Sequence, residues 1–251
     1  MFLPSKIHHN YCHSSSQKFI PNTFGMLCWN VYKSNDSSAF KEYLKKVESQ
    51  CDLLLFQEAT FSDKKPFVLS DYIFDAAANL EFREKFYGVL TASRVLPTEV
   101  NAYLSKGKEG FIGTYKSLLI SLYSFEEGST LLVFNLHAIN FRENQQFNRE
   151  LEHFLELLKK YEGAMIVAGD FNTWSKTRTE QLYNFKDELG LDTVPFKQDG
   201  VVKSFMGNNL DFILYRGLEL VEYNVDINQK ISDHNPLFAQ FRIKGHASNP
   251  S

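Results

Sequence analysis

The sequence predicts an α/β (α+β) protein in which mixed β-sheets are flanked by helices. In the first part of the chain, apolar runs of strand length alternate with an amphipathic helix. In the middle and near the C-terminal end, neighbouring strands follow one another directly, as they do in hairpins. Alternation followed by hairpins favours sheets with both parallel and antiparallel neighbours. With 251 residues, of which 43% are hydrophobic, the chain can bury a large core.

Several stretches have the length and apolar character of buried strands. They lie at residues 24–31, 52–57, 86–93, 116–124, 130–137, 164–169, 210–215, 218–226 and 236–243. The segment FEEGS, between the strands at 116–124 and 130–137, has the composition of a hairpin turn.

Helices are predicted from Asp36 onward, at 140–162 and near 175–189. The second is the clearest. Asn140 and Glu143 resemble a capping box at its start, and Gly163 can end it. Its apolar stripe consists of Phe147, Leu151, Phe154, Leu155 and Leu158.

We expect one catalytic domain over residues 21–244, because this range contains no linker-like segment and no repeat. Residues 1–20 read as a flexible leader and 245–251 as a flexible tail. The segment 97–115 has three glycines and no firm periodicity, so we expect a mobile loop there.

Composition limits the function classes. The net charge of −3 shows no basic excess, which weakens the case for a nucleic-acid substrate without excluding one. An odd number of cysteines (Cys12, Cys28 and Cys51) disfavours a disulfide framework and fits a reducing compartment such as the cytoplasm. No apolar run reaches the length of a transmembrane helix. We expect a monomer.

Polar residues stand where the predicted apolar strands begin or end, and burying charge at such positions is unfavourable without a partner or ligand. Together they predict one shared rim, rich in the oxygen donors that Mg²⁺ or Mn²⁺ prefers. Each alone has an ordinary explanation, such as a turn, a helix cap or a solvated charge. The residues are Asn30, Glu58, His137, Asp170, Asn172, Asp211, Asp233 and His234.

The motifs around these residues resemble the endonuclease/exonuclease/phosphatase superfamily, and they occur in that family's order over residues 24–243. They are WN at 29–30, QE at 57–58, NLH at 135–137, GDFN at 169–172, LDFIL at 210–214 and SDHNP at 232–236. The segments LCWNVYK, GVLTASR and LDFILYRG further resemble a bacterial subgroup of that family. The resemblance implies a four-layer α/β sandwich with two packed mixed sheets.

The resemblance also implies roles for the residues. Glu58 would be the central metal ligand, with Asn30 and Asp233 close by. Asp170 would accept the proton of the attacking water, which Asn172 would orient. His234, polarised by Asp211, would bind the scissile phosphate, and His137 would contact phosphate or assist the leaving group.

The expected function is therefore metal-dependent hydrolysis of a phosphoester, a phosphodiester first of all, with nuclease-type activity slightly favoured. A lipid or small-molecule phosphatase or phosphodiesterase is the alternative within enzymes, and a non-catalytic binding protein is the alternative outside them. Basic residues are candidates for a phosphate-binding rim, although each alone is better explained as a surface charge. They are Arg94, Lys106, Lys108, Lys116, Arg142, Lys176 and Arg178.

Overall fold

The structure is a computed structural model that describes residues 2–10, 17–62, 68–108, 115–138, 144–196, 201–227 and 231–244. Within these ranges the helices are α1 (Ser38–Val47), α2 (Asn144–Leu158) and α3 (Lys176–Glu188). The strands are β1 (Phe2–Asn10), β2 (Thr23–Asn30), β3 (Leu53–Phe61), β4 (Ile73–Phe82), β5 (Lys85–Ser93), β6 (Glu99–Lys108), β7 (Tyr115–Ser124), β8 (Thr130–His137), β9 (Ala164–Asp170), β10 (Asp192–Thr193), β11 (Ser204–Phe205), β12 (Asn208–Asn209), β13 (Asp211–Arg216), β14 (Leu218–Val225) and β15 (Leu237–Ile243).

The strands form two mixed sheets and one short hairpin. The first sheet has the order β1-β4-β5-β3-β2-β15-β14, and the second has the order β10-β13-β9-β8-β7-β6. In each sheet one central pair is parallel, β2 with β3 and β8 with β9, and the other neighbours are antiparallel. The strands β11 and β12 pair only with each other.

Alternation along the central strands explains how the layers stack, because successive side chains of a strand point to opposite faces. In β2, Met26 and Cys28 face the second sheet, whereas Leu27 and Trp29 join the cluster under α1. In β9, alternate residues likewise enter the core between the sheets or the cluster under α2 and α3. The order of layers is helix, sheet, sheet, helices, so the predicted four-layer α/β sandwich is confirmed.

All predicted strands are present, and the helix predictions are confirmed with changes at their ends. α1 begins one residue after Ser37, whose side chain accepts a hydrogen bond from the Phe40 amide. Ser175 caps α3 in the same way. The predicted capping box of the second helix, Asn140 and Glu143, lies outside the described residues.

Two expectations are wrong for described residues. Phe2–Asn10 belongs to an edge strand paired with β4, and Ile20 is buried in the core, so much of the expected leader is part of the fold. The segment 97–115 contains β6, paired with β7, and the first residue of β7. The strand β4 was not predicted. Residues 109–114 and the expected tail at 245–251 lie outside the described ranges.

Two expectations from composition concern membrane-spanning helices and disulfides. None of the helices within the described ranges combines the length and apolarity needed to cross a bilayer. Cys28 and Cys51 are buried free thiols, and Cys12 lies outside the described residues.

Candidate active site

A cleft of about 770 Å³ opens at one end of the sandwich, where β2, β8 and β9 end and β13 begins. Among the eight predicted site residues, the cleft is lined by Glu58, His137, Asp170, Asn172, Asp233 and His234. The remaining two join the same cluster, because Asn30 donates to Asp170 and Asp211 contacts His234. The structure therefore brings all eight residues together.

Strand register aligns three of these residues in one row across the second sheet. His137, the last residue of β8, pairs with Asp170, the last residue of β9. Asp170 pairs in turn with Asp211, the first residue of β13. The parallel pairing of β8 with β9 and the antiparallel pairing of β9 with β13 place all three side chains at the same edge.

Asp170 and Asp211 are both buried and share one imidazole. The Asp211 Oδ2 atom lies 2.7 Å from His234 Nδ1, and the Asp170 Oδ2 atom lies 3.9 Å from His234 Nε2. Burial raises the pKa of Asp170 to about 7; the Asp211 charge adds to this, and His234 and hydrogen bonds from Asn172 and Asn30 oppose it. Within the described part of the chain, Asp211 Oδ1 has no hydrogen-bond partner although it is buried.

The turn before β15 fixes His234. Its carbonyl accepts a hydrogen bond from the Trp29 indole, and its amide donates to Ser232 Oγ, which itself donates to the Asn30 carbonyl. Burial alone would lower the pKa of His234, but Asp211, followed by two further carboxylates, outweighs it and raises that pKa to about 9. The imidazole is therefore a cation at neutral pH.

Asp233, the neighbour of His234, is more open to solvent. Its side chain is 51% exposed, and Lys203 Nζ lies 2.9 Å from Asp233 Oδ2. Partial burial would raise the pKa of Asp233, but the Lys203 hydrogen bond and the His234 charge hold it below its usual value. Asp233 and His234 therefore both line the cleft, His234 from its floor and Asp233 from its margin.

Glu58 does not end its strand as predicted but lies inside β3. Gln57 and Glu58 together stand opposite one residue of β5, so β3 has a β-bulge at this point. Glu58 has a φ of 50°. The bulge directs its carboxylate into the cleft. Glu58 Oε2 lies 3.7 Å from Lys33 Nζ, and Glu58 Oε1 lies 3.9 Å from His137 Nε2.

His137 lies near the carboxylates of both Glu58 and Asp170. Its Nε2 atom lies 3.7 Å from Asp170 Oδ2 and 3.4 Å from Lys116 Nζ. Burial lowers the pKa of His137 well below its usual value, and the charges of Lys116, His234 and Lys33 lower it further. The ring is therefore neutral, in contrast to His234.

Asn172 occupies a turn that follows the end of β9. Its φ is 52°, and its amide donates to Asp170 Oδ1 over 2.9 Å. Its side-chain Nδ2 donates to the Ala138 carbonyl. Asp170 and Asn172 still line the same cleft, because the left-handed turn folds the chain back.

The donor chemistry fits a hard divalent cation. Glu58 and Asp170 offer carboxylate oxygens to the cleft, and none of the described residues that line it is a cysteine. Asn30 directs Nδ2 to Asp170, and its Oδ1 accepts a hydrogen bond from the Tyr32 amide. Asp170, Asp211 and His234 also place ligand atoms within 4.8 Å of one another.

Several cleft residues were not predicted, and some predicted basic residues lie elsewhere. Lys33 and Lys203 line the cleft, as do the aromatic residues Tyr32, Trp174 and Phe205. Of the basic residues proposed for a rim, Lys116 lines the cleft and Arg178 is fully buried. The side chains of Lys106, Lys108 and Arg142 are outside the described part of the structure.

Comparison with known proteins agrees with this arrangement. Residues 27–234 match the model of the Endonuclease/Exonuclease/phosphatase family. A UPF0294 protein of Vibrio cholerae is 32% identical over 237 residues, which are 93% of this chain and 83% of the relative.

Two solved structures show the same fold. The endonuclease/exonuclease/phosphatase family protein from Leptotrichia buccalis has a TM-score of 0.65 at 17% identity, covering 88% of this chain and 100% of that one. A mannosyl-6-phosphatase of Bacteroides thetaiotaomicron has a TM-score of 0.63 at 14% identity, covering 87% and 99%. Because the family model matches most of its length, the chain belongs to the Endonuclease/Exonuclease/phosphatase family.

Proposed function

We propose that this protein is a divalent-metal-dependent hydrolase that cleaves phosphodiester bonds by attack of an activated water, and that residues 21–244, with β1 added at the edge of the first sheet, act as one catalytic domain. The observation that carries the proposal is the pairing of a buried carboxylate with a buried imidazolium at the floor of the cleft. Asp170 and His234 approach within 3.9 Å, and Asp211 holds the far side of the imidazole. Such a pair can accept a proton and stabilise an anion within one site.

The roles follow from position. Asp170 accepts a proton from water, and Asn172 orients that water from the adjacent turn. His234, held by Asp211, donates from Nε2 to a phosphoryl oxygen as negative charge develops there. His137, with Lys116 beside it, contacts the phosphate or the leaving oxygen.

Glu58, Asn30 and Asp233 are the residues proposed to hold Mg²⁺ or Mn²⁺. When bound, the ion supplies positive charge to the phosphoryl oxygens and withdraws electron density from them. Lys33 and Lys203 each pair with one of these carboxylates and therefore place further positive charge along the same wall.

The mouth of the cleft supports a nuclease-type substrate. Tyr32 is 59% exposed and Phe205 is 52% exposed, and both line the cleft together with Lys33 and Lys203. Aromatic faces beside cations suit unpaired bases linked by phosphates, because any base can stack on a ring while lysines neutralise the backbone. The net charge of −3 disfavours a grip on long duplexes.

A lipid phosphodiester is the second candidate, favoured by one observation. Met206 is 85% exposed beside Phe205 at the tip of the β11–β12 hairpin, and exposed apolar residues at a hairpin tip suit contact with acyl chains. A small-molecule phosphatase and a non-catalytic binding protein remain as outcomes of the experiment below. The buried free thiols Cys28 and Cys51 fit a reducing compartment such as the cytoplasm, and we propose that the protein works there as a monomer.

The experiment measures hydrolysis of bis-p-nitrophenyl phosphate, p-nitrophenyl phosphate and thymidine 5′-p-nitrophenyl phosphate with Mg²⁺, Mn²⁺ or EDTA. We expect metal-dependent turnover that prefers the diesters, and among them the thymidine ester. The His234→Ala variant should lose about 10²–10³-fold in kcat. Cleavage of the monoester alone would favour a phosphatase, and cleavage of sphingomyelin vesicles but not the thymidine ester would favour lipid. Absence of turnover with every ester, together with retained Mn²⁺ binding, would indicate a binding protein.

A further inference from the structure

Arg178 is an arginine that the site described above does not use, and it is fully buried. It is the third residue of α3, where Ser175 Oγ accepts the hydrogen bond of its amide. Side chains in the first turn of a helix lean toward the helix N-terminus. The Arg178 side chain accordingly runs back over the segment that follows β9.

The guanidinium packs against two aromatic rings. Its central carbon is 4.6 Å from the ring centroid of Phe147 on α2 and 4.6 Å from that of Trp174. Contact with two rings restricts a planar guanidinium more than it would restrict the compact ammonium group of a lysine. Burial lowers the pKa of Arg178 to about 10, and the negative charge of Glu150 on α2 opposes that effect, so the group stays charged at neutral pH.

The oriented guanidinium reaches the turn that carries the site. Arg178 Nη1 donates to the Asn172 carbonyl over 2.9 Å. Asn172 has a φ of 52°, in the left-handed region, which asparagine enters more readily than most other non-glycine residues but still at a conformational cost. The same residue donates its amide to Asp170 Oδ1. One contact therefore supports both the turn and the orientation of the Asp170 carboxylate.

Trp174 extends the connection to the wall of the cleft. Its ring stacks on Arg178 and also lines the cleft. On the opposite side of the turn, Phe171 donates its amide to the Leu210 carbonyl. The strand side of the turn is thus fixed by the backbone of the residue before β13, and the helix side is fixed by Arg178.

We propose that Arg178 is a positioning residue for phosphoester hydrolysis: packed against Phe147 and Trp174, it holds Asn172 in its left-handed turn and thereby sets the placement of Asn172 and Asp170. It contacts no substrate. The expected effect on kcat rests on the proposed function. The expected effect on the turn rests only on the hydrogen bond between Arg178 and Asn172.

The test compares Arg178→Lys with Arg216→Lys. Lysine keeps charge and length but loses the planar stacked donor. Arg216 is a matched control, because it also donates to a backbone carbonyl, that of Leu189 over 2.7 Å, and lies at the end of β13 away from the site. Both variants are characterised by thermal unfolding, by kcat and KM for thymidine 5′-p-nitrophenyl phosphate, and by exchange of the Asn172 amide with deuterated water.

We expect Arg178→Lys to lower kcat roughly 10- to 100-fold while KM changes less than about 3-fold, because misplaced catalytic groups slow the reaction more than they weaken binding. Exchange of the Asn172 amide should accelerate in this variant. Arg216→Lys should lower Tm without changing kcat or that exchange rate.

Two results would overturn the inference. One is an Arg178→Lys variant with wild-type kcat and wild-type protection of the Asn172 amide. The other is an equal loss of kcat in Arg216→Lys, which would mean that general destabilisation explains both. If the wild-type protein hydrolyses no ester, the proposed function fails by itself, and amide exchange alone then decides the role of Arg178.

Discussion

The pair formed by Gln57 and Asn135 ties the two sheets together beneath the site, and its removal has a calculable effect. Both side chains are completely buried. Gln57 Nε2 on β3 donates to Asn135 Oδ1 on β8 over 2.7 Å. Asn135 Nδ2 in turn donates to the Leu90 carbonyl over 3.0 Å and to Thr91 Oγ1 over 3.2 Å.

The substitution Asn135→Leu keeps the volume and removes every one of these bonds. It leaves Gln57 Nε2 with only its weak contact to Cys28 Sγ at 3.6 Å, and a buried donor that loses its strong acceptor costs about 1–3 kcal/mol. The lost donor bonds of Asn135 add about 0.5–1.5 kcal/mol. We therefore expect the free energy of unfolding to fall by about 2–4 kcal/mol. Gln57→Leu should have a similar effect, since it strands the Asn135 oxygen.

The double variant Gln57→Leu/Asn135→Leu should be more stable than either single variant, because neither side chain then leaves the other unsatisfied. Urea unfolding followed by circular dichroism gives these differences. Asn101→Leu is the control; Asn101 bonds only locally to Glu99, and the change should stay within about 0.5 kcal/mol. A double variant that loses the sum of the two single effects would refute the reasoning.

Two further predictions concern the site itself. Glu58→Gln keeps volume and removes a carboxylate charge, so Mn²⁺ affinity measured by titration calorimetry should fall at least 10-fold while Tm stays within a few degrees; unchanged affinity would exclude Glu58 as a ligand. Gly169→Ala places a Cβ 1.9 Å from the Leu136 carbonyl oxygen at a φ of +148°, so β8 and β9 must separate. We expect a loss of several kcal/mol in unfolding free energy, whereas Gly128→Ala, with open space around it, should cost much less.

Local patterns were sufficient for the nine strands that were predicted and for the membership of the site, because the polar residues lie at the ends of apolar runs that meet at one edge. They failed where long-range pairing decides the outcome. Glu58 was predicted at a strand end, since one extra residue in β3 is visible only against β5. Phe2–Asn10 lacks an apolar run and is a strand because β4 pairs with it.

The chemistry of Arg178 was misjudged for a related reason. A lone arginine in a polar helix start is usually a surface charge, and its burial depends on Phe147, which comes from a different helix. Tyr32, Trp174 and Phe205 were missed because single aromatic residues in loops carry no periodic signal. The roles implied for the eight site residues remain predictions, although their assembly around one cleft is observed.

The row formed by His137, Asp170 and Asp211 makes the chain unequally tolerant of changes in length. Each of the three occupies a terminal position of its strand, and the hydrogen-bond register sets them side by side. Deleting one residue inside β8, β9 or β13 would turn that strand's terminal side chain to the opposite face of the sheet. Insertions at the FEEGS turn leave the row intact, because that turn joins β7 to β8 at the end of β8 away from His137. Relatives can therefore be expected to vary in loop length there while keeping the lengths of these three strands.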